Sequence, residues 1–252
     1  MSLIRPPRPS LDDLKPEFVD LERRLFLRGT LSLGALTMLT GCNLVEGNSV
    51  DKALMAMSRW NDKVQAWLFD PNKLAQTYAR ADITTPFPFN AYYGKSRAPA
   101  VDGAAYRLEV SGLVSDRKSW TVEELRALPQ ESQITRLICV EGWSAVGEWS
   151  GVRLGAFLDR IGADSRARYV GFKCADGYYS GIDMATARHP QTILALDFSG
   201  GALPREYGYP MRLRMPTKLG FKNAKHIAAL FVTNDYPGGY WEDKGYNWFS
   251  GS

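Results

Sequence analysis

The sequence is short of the residues from which most metal sites and hydrolases are built. Its 252 residues include two histidines, His189 and His226, and three cysteines, Cys42, Cys139 and Cys174. Three cysteines without short paired spacings exclude a disulfide scaffold and a cysteine-based zinc site. Two histidines without metal-ligand spacing, and no G-x-S-x-G, leave a conventional hydrolase without its parts. A phosphate-cradling G-x-x-x-x-G-K and a dinucleotide-binding G-x-G-x-x-G are both missing. No Cys-x-x-Cys-His is present, so no haem is expected in this chain. A surplus of one charge is also lacking: 31 basic residues against 27 acidic ones give a dispersed net charge of +4, too little for a nucleic-acid surface. Finally, no run approaches the ~18 consecutive apolar residues of a membrane-spanning helix. The longest uncharged stretch, Gly29 to Val45, is interrupted by Gly, Ser and Thr.

What is present is the material of a globular core, with 45% apolar and 23% charged residues. The front of the chain is separate in character. Leu21-Glu22-Arg23-Arg24-Leu25-Phe26-Leu27-Arg28-Gly29 precedes a weakly hydrophobic segment, Thr30 to Thr40. Paired arginines followed by such a segment read as a twin-arginine export signal, the route that carries folded proteins. Charged and apolar residues are blocked there, whereas a surface helix would interleave them. Leu39-Thr40-Gly41-Cys42 resembles a lipoprotein cleavage box, which would place a lipid on Cys42 and tether the chain to a membrane face. The expected organisation is a signal with a candidate lipobox over 1–42, an N-terminal helical segment over 43–80, and a catalytic domain over 81–252. The expected location is the periplasm or the outer face of the cytoplasmic membrane.

From Asp51 to Asp70, Leu54, Met57, Trp60, Val64, Trp67 and Leu68 recur at helical intervals, and Pro71 limits the helix. The proline-punctuated Thr84 to Asn90 predicts extended chain. Tyr106, Leu108 and Val110 alternate as a strand before Gly112, and Thr121 with Glu124 forms a capping box for a helix through Leu128. Ile134 to Val140 reads as a buried strand, with a turn at Gly142 and a helix from Leu154 to Ile161 stopped at Gly162. Further strands are predicted at Tyr169–Lys173, Thr192–Phe198, Met211–Met215 and His226–Thr233. Strands outnumber short, irregularly placed helices, which predicts an α+β fold of mixed β-sheets in place of a doubly wound sheet.

His189, before Pro190, reads as a helix-end capping residue, and His226 as a residue at the rim of a strand. Cys139 ends a hydrophobic strand beside a turn, where a thiolate suits a soft transition metal. An inert core cysteine and a disulfide to Cys174 fit the same residues.

The segment Arg136-Leu137-Ile138-Cys139-Val140-Glu141-Gly142-Trp143-Ser144 resembles the one carrying the molybdenum-ligating cysteine of the sulfite oxidase superfamily, in its bacterial branch that includes the catalytic subunit of periplasmic methionine sulfoxide reductase. Phe89-Asn90-Ala91-Tyr92-Tyr93-Gly94, Leu203 to Leu213 and Gly220-Phe221-Lys222-Asn223-Ala224-Lys225 agree, in the right order. The resemblance implies a sulfite-oxidase-type molybdopterin-binding catalytic domain with Cys139 as the protein ligand of molybdenum and one pterin supplying the other sulfurs. It implies that Asn90, Tyr93 and Gly94 line the pterin, that Cys174 is a pocket residue, and that Arg212 with Asn223, Ala224 and Lys225 holds the pterin and its phosphate. Tyr207 stands where relatives carry histidine or asparagine, so one cofactor hydrogen bond is altered or made by the phenol. Cys-Val-Glu-Gly-Trp replaces the Cys-Ala-Gly-Asn-Arg-Arg of true sulfite oxidases, and Tyr92-Tyr93-Gly94 replaces Arg-Asn-His. Without those arginines, sulfite is disfavoured as substrate.

The function implied is oxygen-atom transfer by a molybdopterin-dependent oxidoreductase: reduction of an S-oxide or N-oxide such as methionine sulfoxide, with electrons from a membrane b-type haem partner. The other readings are oxidation of a small sulfur compound and, in a different class, a metal-free exported lipoprotein that binds a ligand. The partners expected are the twin-arginine export machinery and the haem protein, and a monomer is expected, since the chain lacks the immunoglobulin-like pairing domain of dimeric sulfite oxidases.

Overall fold

The computed structural model describes residues 47–251, with side chains from Leu54 onward. The twin-arginine segment and Cys42 lie outside the described residues. The architecture below is that of the compact unit beginning at Met57.

Helix α1 (Gly47–Leu68) leads into this unit. The predicted periodicity is there, and Pro71 follows the helix end, but Met57, Trp60, Trp67 and Leu68 are exposed. The polar positions of the helix face the domain. Asp62 accepts a hydrogen bond from the backbone N–H of Phe249 at 2.8 Å, and Gln65 one from that of Gly251 at 3.3 Å. Among the described residues no helix is long and apolar enough to cross a membrane.

Two sheets follow. One has the order β1 (Glu109–Gly112), β9 (Ile227–Thr233), β4 (Tyr169–Cys174), β5 (Tyr179–Asp183). Its β1–β9 pair is parallel and its other pairs antiparallel. The second runs β2 (Gln130–Ile138), β3 (Ser144–Arg153), β6 (Ile193–Phe198), β7 (Gly201–Ala202), and β8 (Arg212–Arg214) also pairs with β6, on the edge away from β3. All its pairs are antiparallel. The helices α2 (Val122–Arg126), α3 (Leu154–Arg160) and α4 (Met184–Arg188) are short. The fold is α+β, as the sequence predicts.

The apolar run of β6 has a direct physical reason. Successive residues of a strand point to opposite faces, and both faces of this sheet are covered. Leu194 and Leu196 enter the main core with Val152, Leu213, Val170, Phe172 and Leu230. Ile193 and Ala195 enter a second cluster with Phe87, Leu137, Trp149 and Leu203. The main core thus takes side chains from both sheets, and Phe157, Leu158 and Leu125 of the short helices close it. The predicted capping box opens α2: Glu124 N–H donates to the Thr121 hydroxyl at 3.1 Å, and the Glu124 carboxylate accepts from Thr121 N–H at 2.9 Å.

Three strands have no counterpart in the sequence prediction: β3, β5 and β7. Strand β3 carries Gly147, Glu148, Ser150 and Gly151, which do not alternate with apolar residues. The structure explains them by close approach. A Cβ on Gly151 would lie 2.0 Å from the Leu194 carbonyl oxygen, and one on Gly147 would meet the rings of Phe87, Phe198 and Trp149 at about 3 Å. Here the strand is specified by what packs on it and not by its own periodicity.

Candidate functional site

The β2–β3 hairpin fixes Cys139. The two strands stay in register to Ile138 opposite Ser144, leaving Cys139 to Trp143 to make the turn. Cys139 N–H donates to the Trp143 carbonyl at 2.8 Å, and Gly142 N–H to the Cys139 carbonyl at 3.1 Å. Gly142 sits at φ +91°, a backbone region that glycine alone enters freely. The sulfur is therefore the first side chain beyond a paired strand, held by backbone on both sides. Burial raises its pKa, the Glu141 carboxylate adds to the rise, and the backbone N–H groups of Glu141 and Val140 oppose it. Glu141 is itself positioned, accepting from the Trp143 indole N–H at 2.9 Å with an oxygen 3.8 Å from Sγ. The free thiol is held neutral here, and a nearby metal cation would reverse that balance.

Cys139 borders a cavity that is open to solvent on one side. Asn90, Tyr93, Asn223, Ala224 and Lys225, which the sequence also singles out, share its wall with Cys139. The other named residues stand outside the lining. Gly94 follows Tyr93 and caps the 3-10 turn Lys95–Arg97. Cys174 is a free thiol in the main core, as Cys139 is free in its turn, and burial pushes its pKa well up. The Tyr207 hydroxyl donates to the Phe87 carbonyl at 2.6 Å, and its ring packs edge-on against Phe87 and Phe198.

Behind this wall lies the most unusual electrostatic feature of the fold. Arg212 and Arg214 are fully buried on one face of β8, over the ring of Trp149 at 4.6 and 5.8 Å. Composition alone suggests exposed charges at Arg212 and Lys225, and the structure buries both. Arg212 donates to the carbonyls of Tyr207 and Asn223, and Arg214 to Thr135, the Arg136 carbonyl and the Asn223 side chain. The Nε atoms of both arginines are buried without a hydrogen-bond partner. Lys225 reaches the carbonyls of Asn90 at 2.6 Å and Glu206 at 2.9 Å, and burial, with Arg212 nearby, pulls its pKa down to about 6. Burial lowers the pKa of both arginines as well. Among the described residues, none of the three basic side chains forms an ion pair. Gly208, at φ +119°, lets Arg212 and Lys225 approach, since a Cβ there would lie 3.1 Å from the Cβ of each. Buried positive charge without a carboxylate is costly unless an anion completes it.

The opposite rim is aromatic and carries one acid. Tyr93 donates to the Asp176 carboxylate at 2.9 Å, and Tyr92 to the Asp176 carbonyl. Tyr92 stacks on Tyr240 at 4.7 Å between centroids. Burial, followed by the Asp176 charge, raises the pKa of both Tyr92 and Tyr93. Asp176, Trp241 and Tyr246 line the cavity without having been singled out by the sequence. Asp176 follows Cys174 by two residues in a tight turn, and a carboxylate beside a turn glycine looks like ordinary turn chemistry.

The histidines resolve into separate roles. His189 ends α4 and bonds the Lys73 carbonyl at 3.1 Å, while its Nδ1 accepts from Gln191 N–H at 3.2 Å. It ties the segment after α1 to the domain, consistent with its reading as a helix-end residue. His226 is not at a rim: it is 1% exposed, at φ +51°, with its Nδ1 against the Tyr209 carbonyl at 2.8 Å. Its backbone N–H is taken by Gly208, ahead of the start of β9, which turns the ring inward. Among the described residues no group of three or more His, Cys, Asp or Glu is placed to hold a metal ion. A metal bound at Cys139 would take its remaining ligands from a cofactor or solvent.

Comparison with known proteins identifies the family. Residues 95–241 match the family described as the oxidoreductase molybdopterin binding domain. A protein of Azospira oryzae described as putative protein-methionine-sulfoxide reductase subunit YedZ1 is 64% identical over 230 residues, 91% of this chain and 88% of that protein. The protein-methionine-sulfoxide reductase catalytic subunit MsrP of Xanthomonas campestris is 37% identical over 154 residues, 55% of this chain and 48% of that protein. The subunit of the same name from Gluconobacter oxydans is 28% identical over 268 residues, 96% of this chain and 78% of that protein. Among solved structures, the sulfane dehydrogenase SoxCD of Paracoccus pantotrophus superposes with a TM-score of 0.52 at 23% identity, over 55% of this chain and 40% of that one. That last likeness concerns the fold.

Proposed function

This chain belongs to the molybdopterin-binding oxidoreductases of the sulfite oxidase superfamily, and from that membership we propose that it reduces methionine sulfoxide. The reaction consumes two electrons and two protons, breaks the sulfur–oxygen bond, and leaves a thioether and water. The reading is supported by relatives described as methionine sulfoxide reductase subunits. The observation that carries it is the pairing of a buried thiol with a cavity backed by uncompensated cations.

The residues fit the cofactor of this family. Cys139 would supply the single protein thiolate to molybdenum. Lys225 would hold the anionic phosphate of the pterin, with Arg212 adding positive charge from behind the wall, Asn223 and Ala224 adding polar and backbone contacts, and Asn90 and Tyr93 bounding the ring system. Gly94, Cys174 and Tyr207 would act through the wall: Gly94 by ending the Tyr93 segment, Cys174 by packing under the Asp176 turn, and Tyr207 by anchoring Phe87 ahead of Asn90. When bound, the cofactor supplies two-electron oxygen-atom chemistry at the metal. The chain's own part is to fix the sulfur on the hairpin, to neutralise the phosphate, and to bound the opening with Tyr92, Tyr93 and Trp241.

The same reading assigns residues 1–42 to a twin-arginine signal, Cys42 to a lipid, residues 43–80 to an N-terminal helical segment, residues 81–252 to the catalytic domain, and the electron supply to a membrane b-type haem protein at the periplasmic face. A fold that must carry its cofactor out finished suits an export route for folded chains.

Protein from a molybdate-fed host is expected to contain near-stoichiometric molybdenum, to release a fluorescent oxidised pterin, and to reduce methionine sulfoxide with a reduced dye. Cys139→Ala is expected to lose the metal while keeping its fold by circular dichroism. Folded wild-type protein with neither metal nor pterin would overturn the proposal, as would a loaded enzyme inert towards sulfoxides.

A further inference from the structure

Helix α1 is amphipathic with its apolar side turned away from the protein. Met57, Trp60, Val64 and Trp67 recur at intervals of three and four and so form one row, in which Val64 alone is half-buried. Met57 and Trp60 are each 68% exposed and Trp67 is 81% exposed, with Leu68 beside them also exposed. The opposite row is polar and already engaged, with Asp62 and Gln65 bonded to the C-terminal segment. The helix therefore cannot turn its apolar row inward without breaking those bonds. Arg59 and Lys63, four residues apart, border the apolar row on one side, both exposed.

We propose that this face of α1 lies in the headgroup region of a lipid bilayer, parallel to the surface, and that it orients the domain on the membrane. Tryptophan and methionine on an apolar row bordered by basic residues are what an interfacial helix presents, with the indoles at the headgroup level and the cations towards anionic phosphates. The helix lacks the apolar length to cross the bilayer, so it lies on it. A protein partner fits less well. From Met57 to Leu68 the row is about 18 Å long and a helix is about 10 Å wide, small beside the roughly 800 Å² that each side of a stable protein complex contributes. A lipid surface accepts such a strip without shape complementarity. The sequence also places Cys42 five residues before the helix start at Gly47, a span of at most about 18 Å. A lipid there would set α1 on the same surface, but the proposal does not depend on it.

The test uses the full chain with Cys42→Ala, so that no acyl chain contributes, and vesicles of phosphatidylethanolamine with phosphatidylglycerol. The parent protein is expected to sediment with the vesicles, and its tryptophan fluorescence to be quenched by lipids brominated near the headgroup. Trp60→Ser with Trp67→Ser is expected to lower vesicle partitioning at least about tenfold. Molybdenum content and sulfoxide reduction in solution should be unchanged, because neither tryptophan touches the cavity. Equal partitioning of parent and variant would overturn the proposal. So would binding to native membranes that is lost on protease treatment and absent with pure lipid, which would assign the face to a protein, or a concentration-dependent dimer abolished by the substitutions, which would assign it to a second copy.

Discussion

Glu242→Gln tests the electrostatics beneath the cavity rim most directly. Glu242 lies between Trp241, which lines the cavity, and Asp243, and its carboxylate is 2.5 Å from Lys222 Nζ, both groups fully buried. Ser180 donates to the same carboxylate oxygen at 3.0 Å, and Lys222 also donates to the Gly181 carbonyl at 2.7 Å. Burial lowers the pKa of Lys222, and the Glu242 charge opposes that fall. With glutamine at 242 the largest opposing charge is gone, those of Asp183 and Asp62 remaining, and burial is expected to favour the neutral amine of Lys222 in the folded state. The unfolded lysine titrates near 10.4, so releasing its proton on folding costs up to about 4.6 kcal/mol at pH 7, at about 1.4 kcal/mol per unit. The usual cost of breaking a buried pair, about 3–5 kcal/mol, is the same size. The variant's folded lysine binds fewer protons than its unfolded one, so its stability rises with pH. Its deficit should therefore shrink to about 2 kcal/mol at pH 9. Urea unfolding of full-length protein at both pH values measures this, and Lys222→Met combined with Glu242→Gln should recover most of the loss, because no unpaired charge then remains. A deficit below about 1 kcal/mol at pH 7, or one that does not vary with pH, would refute the reasoning.

Thr121→Ala removes the acceptor for Glu124 N–H at the start of α2 and should cost about 1 kcal/mol, seen as a lower melting temperature with unchanged metal content. Gly151→Ala drives a methyl against the backbone of β6 and should destabilise by about 3 kcal/mol or more in urea. Lys225→Met leaves the Asn90 and Glu206 carbonyls without their donor. It should lower the molybdenum and pterin retained after dialysis, whereas Lys95→Met, at an exposed ion pair, should not change retention.

Much of the fold can be read from the chain because strong local signals coincide with tertiary ones. The run Ile193-Leu194-Ala195-Leu196 reads as a strand and is one, since both its faces are covered. The Thr121–Glu124 box is found where predicted, although α2 ends at Arg126, short of Leu128. Strand β3 escapes such reading because its glycines make room for rings and backbone supplied by distant segments. In α1 the period is legible but not the direction of the face, which is decided by hydrogen bonds that Asp62 and Gln65 accept from residues nearly two hundred positions away. At the site, motif resemblance singles out Cys139, Asn90 and Lys225, which the fold brings to one wall. Asp176 and Trp241 reach it only through the β4–β5 turn and the chain beyond β9, which no local pattern announces.

The cavity is assembled from stretches near residues 90, 139, 176, 223 and 241, so it has an order in time as well as in space. A growing chain that has passed the Cys139 hairpin holds a sulfur with no pocket around it. The cations that back the wall follow only at Arg212 and Lys225, and the aromatic rim only with Trp241 and Tyr246. Because contacts so distant in sequence form late, no early fragment of the chain can retain what the finished cavity holds. Synthesis must therefore run past residue 246 before loading can begin.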